Sequence, residues 1–330
     1  MATGEKEGGI RVMSGELETW AGEILLQMGL PKEDAELVAA CLVQVDLRGI
    51  FSHGTHRLAS YVSQYRKGGL NPRPSVRVVR EGPANVVLDG GGGLGYMVAR
   101  RGTELMLEKA EETLLAVVST HCHGHVGSLG IYARMALERG LVTFSVAGGR
   151  DWQAPIEAGE NVWDAMQSPP ICIGIPSASG PPLVIDMSAN FFRDRKRLDE
   201  AILSFPEPVI KSLGLKFAAT LLGGILAGGI DEPVGCGGYS GAVRGFLMLA
   251  LKPDLVGEEE RFLGEVTRVI SASRELAPMP GQESAEVAGS LEWERERKWV
   301  EEGIPLGSGH REKLEDLAED VGIPVPWEGL

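Results

Sequence analysis

Several things are scarce in this sequence, and each shortage argues against a class of function. Basic residues are outnumbered: 32 Lys and Arg against 46 Asp and Glu leave a formal charge of −14 on 330 residues. Such a chain offers no broad cationic face, so neither a nucleic acid nor an anionic membrane is expected as a partner. An anionic ligand would have to be held by a few local cations. Cysteine is also scarce. The four, Cys41, Cys122, Cys172 and Cys236, lie far apart without a CxxC pair. That argues against a disulfide framework or a zinc knuckle and reads as buried reduced thiols. The most apolar stretch, Leu213 to Ile230, is interrupted by Lys216 and five glycines, so a membrane span is not expected. Met1 to Ile10 is polar and Gly-rich rather than an apolar leader, and the expected compartment is the cytoplasm. There is no internal repeat.

What remains is an ordinary globular composition, 43% hydrophobic and 24% charged, with enough apolar residues for a sizeable core. The first part reads as helical. Ser14 is a candidate N-cap, with Glu16 and Glu18 in the first turn and Trp20, Ile24, Leu25 and Met28 at helical spacing. Pro31 can start a second helix along Ala35, Val38, Ala39 and Leu42, and a third runs through Leu58, Tyr61, Val62 and Tyr65 to Gly68-Gly69. From Val76 the texture turns to short apolar runs: Val76–Val79, Val86–Leu88, Leu115–Val118, Val142–Val146, Ile171–Ile173, Leu183–Ile185 and Gly245–Leu249. Helical stretches separate them at Tyr96–Glu112, Leu129–Arg139, Lys211–Ala227 and Glu258–Glu275, and the charged C-terminal stretch is helical again. The expected organisation is a mixed α/β body over 76–284, with residues 1–75 and 285–330 packing together as a helical subdomain.

A Gly-x-Gly-x-x-Gly match can be read from Gly90, Gly92 and Gly95, between a strand and a helix. In a run of glycines the match is cheap, and no acid follows at the end of a second strand about twenty residues on, where a ribose would be held. It reads as a Gly-rich turn. Three other stretches carry chemistry. Asp46-Leu47-Arg48-Gly49-Ile50-Phe51-Ser52-His53-Gly54 joins two amphipathic helices. In it, a histidine can act as acid or base on a carbonyl/alcohol pair, and an arginine can grip a carboxylate; the plain alternative is a capped helix-joining loop. Thr120-His121-Cys122-His123-Gly124-His125-Val126-Gly127 follows an apolar strand. Three alternating imidazoles on one face could bind a transition metal, while the glycines favour a turn that closes on a ligand. Ile185-Asp186-Met187-Ser188 ends an apolar strand with a carboxylate, a place for a ligand-binding group or a helix cap.

In this order and spacing, these stretches resemble the type-2 malate/L-lactate dehydrogenase family. Further matching segments are Arg57-Leu58 with Tyr61, Gly69-Leu70-Asn71-Pro72, Asp89-Gly90 with Leu94-Gly95, His125 to Ala133, the Lys211 to Gly229 helix and Gly303-Ile304-Pro305-Leu306. The resemblance implies an α/β, non-Rossmann fold with a mixed-sheet nicotinamide-binding body, acting as a homodimer on a small anionic substrate. It implies His53 as acid/base, Arg48 as the carboxylate anchor with Ser52 and Tyr61 beside the substrate, His125 next to nicotinamide, and Asp186 orienting proton transfer. NAD or NADP would lie along His123, Gly127, Ser128, Ser168, Pro170, Ser188 and Lys211, and no catalytic metal is implied. The chain departs from the family pattern in having His123-Gly124 for Ser-Asn, Gln167-Ser168-Pro169-Pro170 for Gly-Thr-Asn-Pro, and Ala288-Gly289-Ser290 for Pro-Gly-Glu. It also lacks most of the long segment after the Asp-Met motif. Arg150 and the Arg193–Arg197 run read as solvated basic loops that could hold a second anionic group. The expected activity is hydride transfer between NAD(P) and a 2-oxo or 2-hydroxy acid, or a cyclic imine carboxylate. The rivals are a metal-dependent enzyme built on His121, His123 and His125, and a cofactor-less binding protein.

Overall fold

A computed structural model describes residues 9–149, 161–165, 168–228 and 236–327. Seven strands form one mixed sheet. The strand that comes earliest in the chain, β1 (Ile10–Val12), is not one of the seven; β2 (Arg77–Gly82) and β3 (Asn85–Asp89) make a hairpin, and β4 (Leu115–His123) lies parallel to β3. Then come β5 (Val142–Gly149), β6 (Pro170–Ile175), β7 (Leu183–Ser188) and β8 (Arg244–Leu251), in the spatial order β2-β3-β4-β8-β5-β6-β7. Among neighbouring strands of the described residues only β3 and β4 pair in parallel, and a crossover helix, α4 (Gly95–Thr113, in chain order after α1 to α3 below), joins them. This is not a doubly wound dinucleotide fold. The apolar runs explain the strands: in β4 buried Ala116, Val118 and Thr120 alternate with half-buried neighbours, the period of a pleated strand.

The N-terminal helices α1 (Ser14–Gln27), α2 (Lys32–Leu47) and α3 (Leu58–Arg66) cover one side of this body. Helix α5 (Gly130–Leu137) follows β4, α6 (Arg195–Ser204) and α7 (Pro206–Thr220) follow β7, and α8 (Glu259–Arg274) follows β8. The chain ends with α9 (Ser290–Glu302), β9 (Ile304–Leu306) and α10 (Ser308–Val321). The two ends meet: β1 pairs antiparallel with β9, Ile10 opposite Leu306, and the Trp20 and Trp327 rings lie 6.5 Å apart. One continuous core runs from Leu17 and Trp20 through Val86 and Val118 to Trp327. Fully burying each of its large side chains contributes about 1.5–3 kcal/mol.

Several sequence expectations are corrected. Ser14 is the first helical residue rather than a cap; Met13 holds the N-cap place, with no side-chain bond. The Arg193–Arg197 run is not all loop, since Asp194 caps α6 by accepting the Arg197 N–H at 3.1 Å. Its charges suggested solvation, yet Leu198 one turn on is buried. Of the four cysteines only Cys41 and Cys172 are buried free thiols; Cys122 and Cys236 are bonded to each other. Lys216 and the glycines do not break the apolar helix either. Pro206–Leu226 is continuous through a π-helical turn and, at mean hydropathy 1.6, is long and apolar enough to cross a membrane by length and composition. It packs on β5 and β8, and Lys216 is fully buried, its Nζ donating to the Trp163 carbonyl at 2.8 Å and lying 4.1 Å from the Trp163 ring. Arg150 to Gln153 and Gln167 lie outside the described residues.

Candidate active site

The loop between α2 and α3 folds into two 3-10 turns, Phe51–His53 and Thr55–Arg57, built over a buried carboxylate. Asp46, fully buried at the end of α2, accepts the Thr55 N–H at 2.9 Å and its hydroxyl at 2.5 Å through Oδ2. Its Oδ1 sits against Gly54, where a Cβ would come within 1.8 Å, so only glycine lets the loop close over it. Burial pushes Asp46 up to about 7, against the lowering effect of its two bonds from Thr55. Because the Thr55 hydroxyl is directed to Asp46, His310 of α10 must donate to Thr55 through Nε2, at 3.0 Å. Burial holds His310 down to about 4. The loop carrying His53 is thus tied to both ends of the chain.

His53 receives the Ser52 hydroxyl near Nδ1 at 3.0 Å, and its ring stacks on that of His125 with centroids 5.8 Å apart. Burial lowers its proton affinity; Asp186 opposes that, and Arg57 and Arg193 reinforce it. His125 is held well below the usual histidine range, by burial first and then by Arg244, Arg57 and His53. The Gly127 N–H points at His125 Nδ1 from 3.3 Å, and the Tyr61 hydroxyl lies 2.7 Å from the same nitrogen. An N–H can only donate, so Nδ1 accepts and the ring proton sits on Nε2. Tyr61 in turn meets the Tyr96 hydroxyl at 3.1 Å. Gly127 has φ +78°, and a Cβ there would strike the Tyr96 ring at 2.5 Å, so this turn too requires glycine. Asp186, on β7, accepts the Ser128 hydroxyl at 2.6 Å and the Gly130 N–H at 2.8 Å, capping α5 from a neighbouring strand.

The structure therefore brings together Ser52, His53, Tyr61, His125, Gly127, Ser128 and Asp186. Ser168, Pro170 and Ser188 meet at the adjoining ends of β6 and β7, where Pro170 is opposite Ser188 in register. There the Asn190 amide donates to Ser168 at 3.1 Å, and the Asn190 N–H donates to the Ser188 hydroxyl at 3.1 Å. Three expected residues are placed elsewhere. Arg48, expected as the carboxylate anchor, grips Glu296 of α9 in two parallel bonds of 3.0 and 2.8 Å, so its guanidinium is already spent on a carboxylate of the same chain. His123, expected along the cofactor, is fully buried, with Nε2 2.8 Å from the Thr120 hydroxyl and Nδ1 donating to the Gly124 carbonyl at 2.8 Å. Lys211 stands on the surface, paired with Glu207 one turn back.

The sequence reading assigned no role to Arg57. Its Nε is buried without a hydrogen-bond partner among the described residues, and its guanidinium lies 5.8 Å from the centre of the Tyr61 ring. The signal was available: Arg57 precedes Tyr61 by one helical turn, the spacing at which side chains meet. Arg244, opposite His123 in the β4–β8 register, is a second cation near His125. The three alternating histidines do not converge. Among the described residues, the ligand-type atoms gathered within 4.8 Å of one another are those of Asp89, His121 and Cys122, without His123 or His125.

Known proteins match this architecture along nearly its whole length. A malate dehydrogenase of Pyrococcus horikoshii is 29% identical, with 98% of each chain covered. Its solved structure superposes with a TM-score of 0.80 at 28% identity, over 98% of this chain and all of that one. An L-sulfolactate dehydrogenase of Methanocaldococcus jannaschii is 25% identical over 92% of this chain and 95% of its own. An NAD(+) ureidoglycolate dehydrogenase of Escherichia coli is 25% identical over 86% and 88% respectively. The family model described as malate/L-lactate dehydrogenase matches residues 12–196, more than half of the 330. With a non-Rossmann mixed sheet and a His53/His125/Asp186 cluster in the same chain, the conclusion is that this protein belongs to the malate/L-lactate dehydrogenase family.

Proposed function

We propose that the protein is an NAD(P)-dependent oxidoreductase that moves hydride between nicotinamide and C2 of a small 2-oxo or 2-hydroxy acid, or a cyclic imine carboxylate. The observation that carries this reading is the stacked His53/His125 pair beside an arginine, Arg57, whose buried Nε has no partner. A 2-oxo acid presents a carboxylate next to a carbonyl, and these groups suit both. Arg57 binds the carboxylate, supplying the local cation that an acidic chain needs. His125, neutral and protonated on Nε2, donates to the carbonyl oxygen. His53 gives that oxygen its proton in reduction and takes it back in oxidation. Burial favours the neutral base form of His53, while Asp186 restores part of its proton affinity.

The residues present fit a dinucleotide. The ends of β6 and β7 offer the Ser168 and Ser188 hydroxyls and the Asn190 amide on half-buried or exposed positions, and Arg193 is an exposed cation beside them. Ser168, Pro170, Ser188 and Gly127–Ser128 would hold the cofactor, which supplies or accepts the hydride. His123 and Lys211 have no part in this reading. We also propose a cytoplasmic location and a homodimer, the dimer supported by large apolar side chains that remain exposed on α6 and at its junction with α7, among them Leu203 and Phe205.

The test is titration of the purified protein with NADH and with NADPH, following nicotinamide fluorescence, then initial rates with a panel of 2-oxo acids. Saturable binding of one nucleotide and steady oxidation with an acid, lost in His53→Ala, is the expected result. Binding of neither nucleotide would sink the proposal and bring a cofactor-less binding protein to the front.

A further inference from the structure

Strand β4 does not finish as a regular strand. Its register with β8 shifts between Thr120 and His123, and Cys122 adopts a left-handed φ of +56°, a conformation that a residue with a Cβ resists. In regular pleating His121 and Cys122 would face opposite sides of the sheet. The bulge turns them together. Asp89, which ends β3, stands opposite His121 in the parallel register. As a result a carboxylate oxygen of Asp89, a ring nitrogen of His121 and the sulfur of Cys122 lie within 4.8 Å of one another. Cys122 brings a fourth donor, because its sulfur is bonded to that of Cys236, with the two Cα atoms 5.1 Å apart.

We propose that Asp89, His121, Cys122 and Cys236 form a zinc site, of which the Cys122–Cys236 disulfide is the oxidised state. Two thiolates, one imidazole and one carboxylate make the tetrahedral sulfur, nitrogen and oxygen set that Zn²⁺ prefers. Reduction by an external dithiol transfers two electrons and two protons to the disulfide, giving two cysteine thiols and the oxidised dithiol. Binding of Zn²⁺ then displaces the two thiol protons to solvent and forms two metal–sulfur bonds. The Asp89 carboxylate is already oriented: Oδ1 accepts the Gly91 N–H at 2.8 Å and Oδ2 accepts Arg77 at 3.0 Å. Each oxygen keeps a second lone pair, and Arg77 is two-thirds exposed and free to swing away.

The position of the site sets its effect. The Gly90 N–H donates to the His121 carbonyl and the Gly92 N–H to the Cys122 carbonyl; Gly124 N–H donates to Gly93, and Gly95 N–H to His125. The glycine turn and the His121–His125 segment are therefore strapped together. A link to Cys236, through sulfur or through zinc, anchors that pair to the chain leading into β8 and Arg244. Either linked state braces the turn that bears His125. The metal-free dithiol state does not.

The experiment uses the full chain, reduced without oxygen, desalted and titrated with Co²⁺ and then Zn²⁺. Expected are one Co²⁺ per chain, bound with release of about two protons and with thiolate-to-cobalt absorption and tetrahedral visible bands, and then displaced by Zn²⁺ with no further proton release. The spectrum is absent from the oxidised protein. Cys236→Ser and His121→Ala each weaken cobalt binding at least tenfold while circular dichroism stays unchanged, and Asp89→Asn serves if either fails to fold. Absence of a stoichiometric thiolate spectrum from the reduced protein overturns the proposal and leaves the pair a structural cross-link only. So does a spectrum unaltered by Cys236→Ser and Asp89→Asn.

Discussion

The half of the sheet formed by β2, β3, β4 and β8 and the half formed by β5, β6 and β7 are finished differently. The first lies in the continuous core with the terminal helices, and three of its four buried phenols are partnered: Tyr61 with His125, Tyr96 with Tyr61, and Tyr132 donating to the Val126 carbonyl at 2.6 Å, while the Tyr65 hydroxyl has no partner among the described residues. Among the described residues the second touches that core only through Ala147, Cys172 and Val184, and is otherwise packed in small clusters, Val146 with Ile171, Ala189 and Ala219, and Trp163 with Leu198 and Val209. Over it Leu203 is 86% exposed, Phe205 70% and Leu226 66%. The difference teaches where the site is complete within one chain. The histidines proposed to handle protons are pre-positioned by packing, whereas the side proposed for cofactor and partner still has apolar surface to cover.

Substitutions can break or sharpen that contrast. The largest effect is expected from His53→Ala on the finished side, a fall in kcat of about 10²–10⁴-fold with melting temperature nearly unchanged, since this ring is only half-buried; stopped NAD(P)H oxidation assays check it. Turnover at the wild-type rate would remove His53 from the chemistry. The two arginines come next. Arg57→Ala should lower kcat/KM for the acid by roughly 10- to 100-fold, the value of a charge-assisted bond of about 1.5–3 kcal/mol, with stability kept. Arg48→Ala should do the reverse, losing about 1–3 kcal/mol of stability in urea unfolding while folded molecules retain kcat/KM. If Arg48→Ala proves to be the KM variant, the anchor assignment must be exchanged.

The third concerns pH. Asp46 binds its proton with a folded pKa of about 7 against about 3.9 unfolded, so between these values the folded state holds more protons and stability falls as pH rises. The span of ~3 units corresponds to at most about 4 kcal/mol. His123 and His310, both held down to about 4, act oppositely: their contribution is lost as pH falls below about 6.5 toward that value. Asp46→Asn, which keeps an oxygen for Thr55, should flatten the first slope and gain stability at pH 7.5 relative to pH 5, read by urea unfolding. An unchanged slope would mean that Asp46 titrates normally. The smallest effect belongs to the open side. Phe205→Asp should shift sedimentation from dimer toward monomer with little change in unfolding free energy, and a surviving dimer would place the interface elsewhere.

How much of this was legible depended on the range of the signal. Helices α1 to α3 and the central strands follow apolar periods of 3.6 and 2, which a sequence displays directly. The three-residue strands β1 and β9 carry no period, and they exist because the two ends of the chain meet. Helix α6 was masked by its basic residues, since polarity along the sequence does not reveal which turn will find a partner such as Asp164, which Arg195 reaches at 2.6 Å. The alternation of His121, His123 and His125 promised one face, but the bulge at Cys122 broke it, and the three rings went to different tasks.

Residue chemistry and local spacing were enough to mark the loop of Ser52 and His53, the turn of His125 and Gly127, and Asp186 as candidates, and the fold brings them together. Glycine at 54 and 127 and apolar periodicity are local constraints, written in neighbouring residues. Which arginine stays free was decided only by the fold, because a guanidinium is claimed by whatever carboxylate packing delivers to it. Glu296, 248 positions away, is delivered to Arg48, and Arg57 is left beside Tyr61 with its Nε unpartnered among the described residues and its charge acting on both histidines. The pairing of Cys122 with Cys236 is of the same kind, set by a long-range meeting of β4 with the chain entering β8.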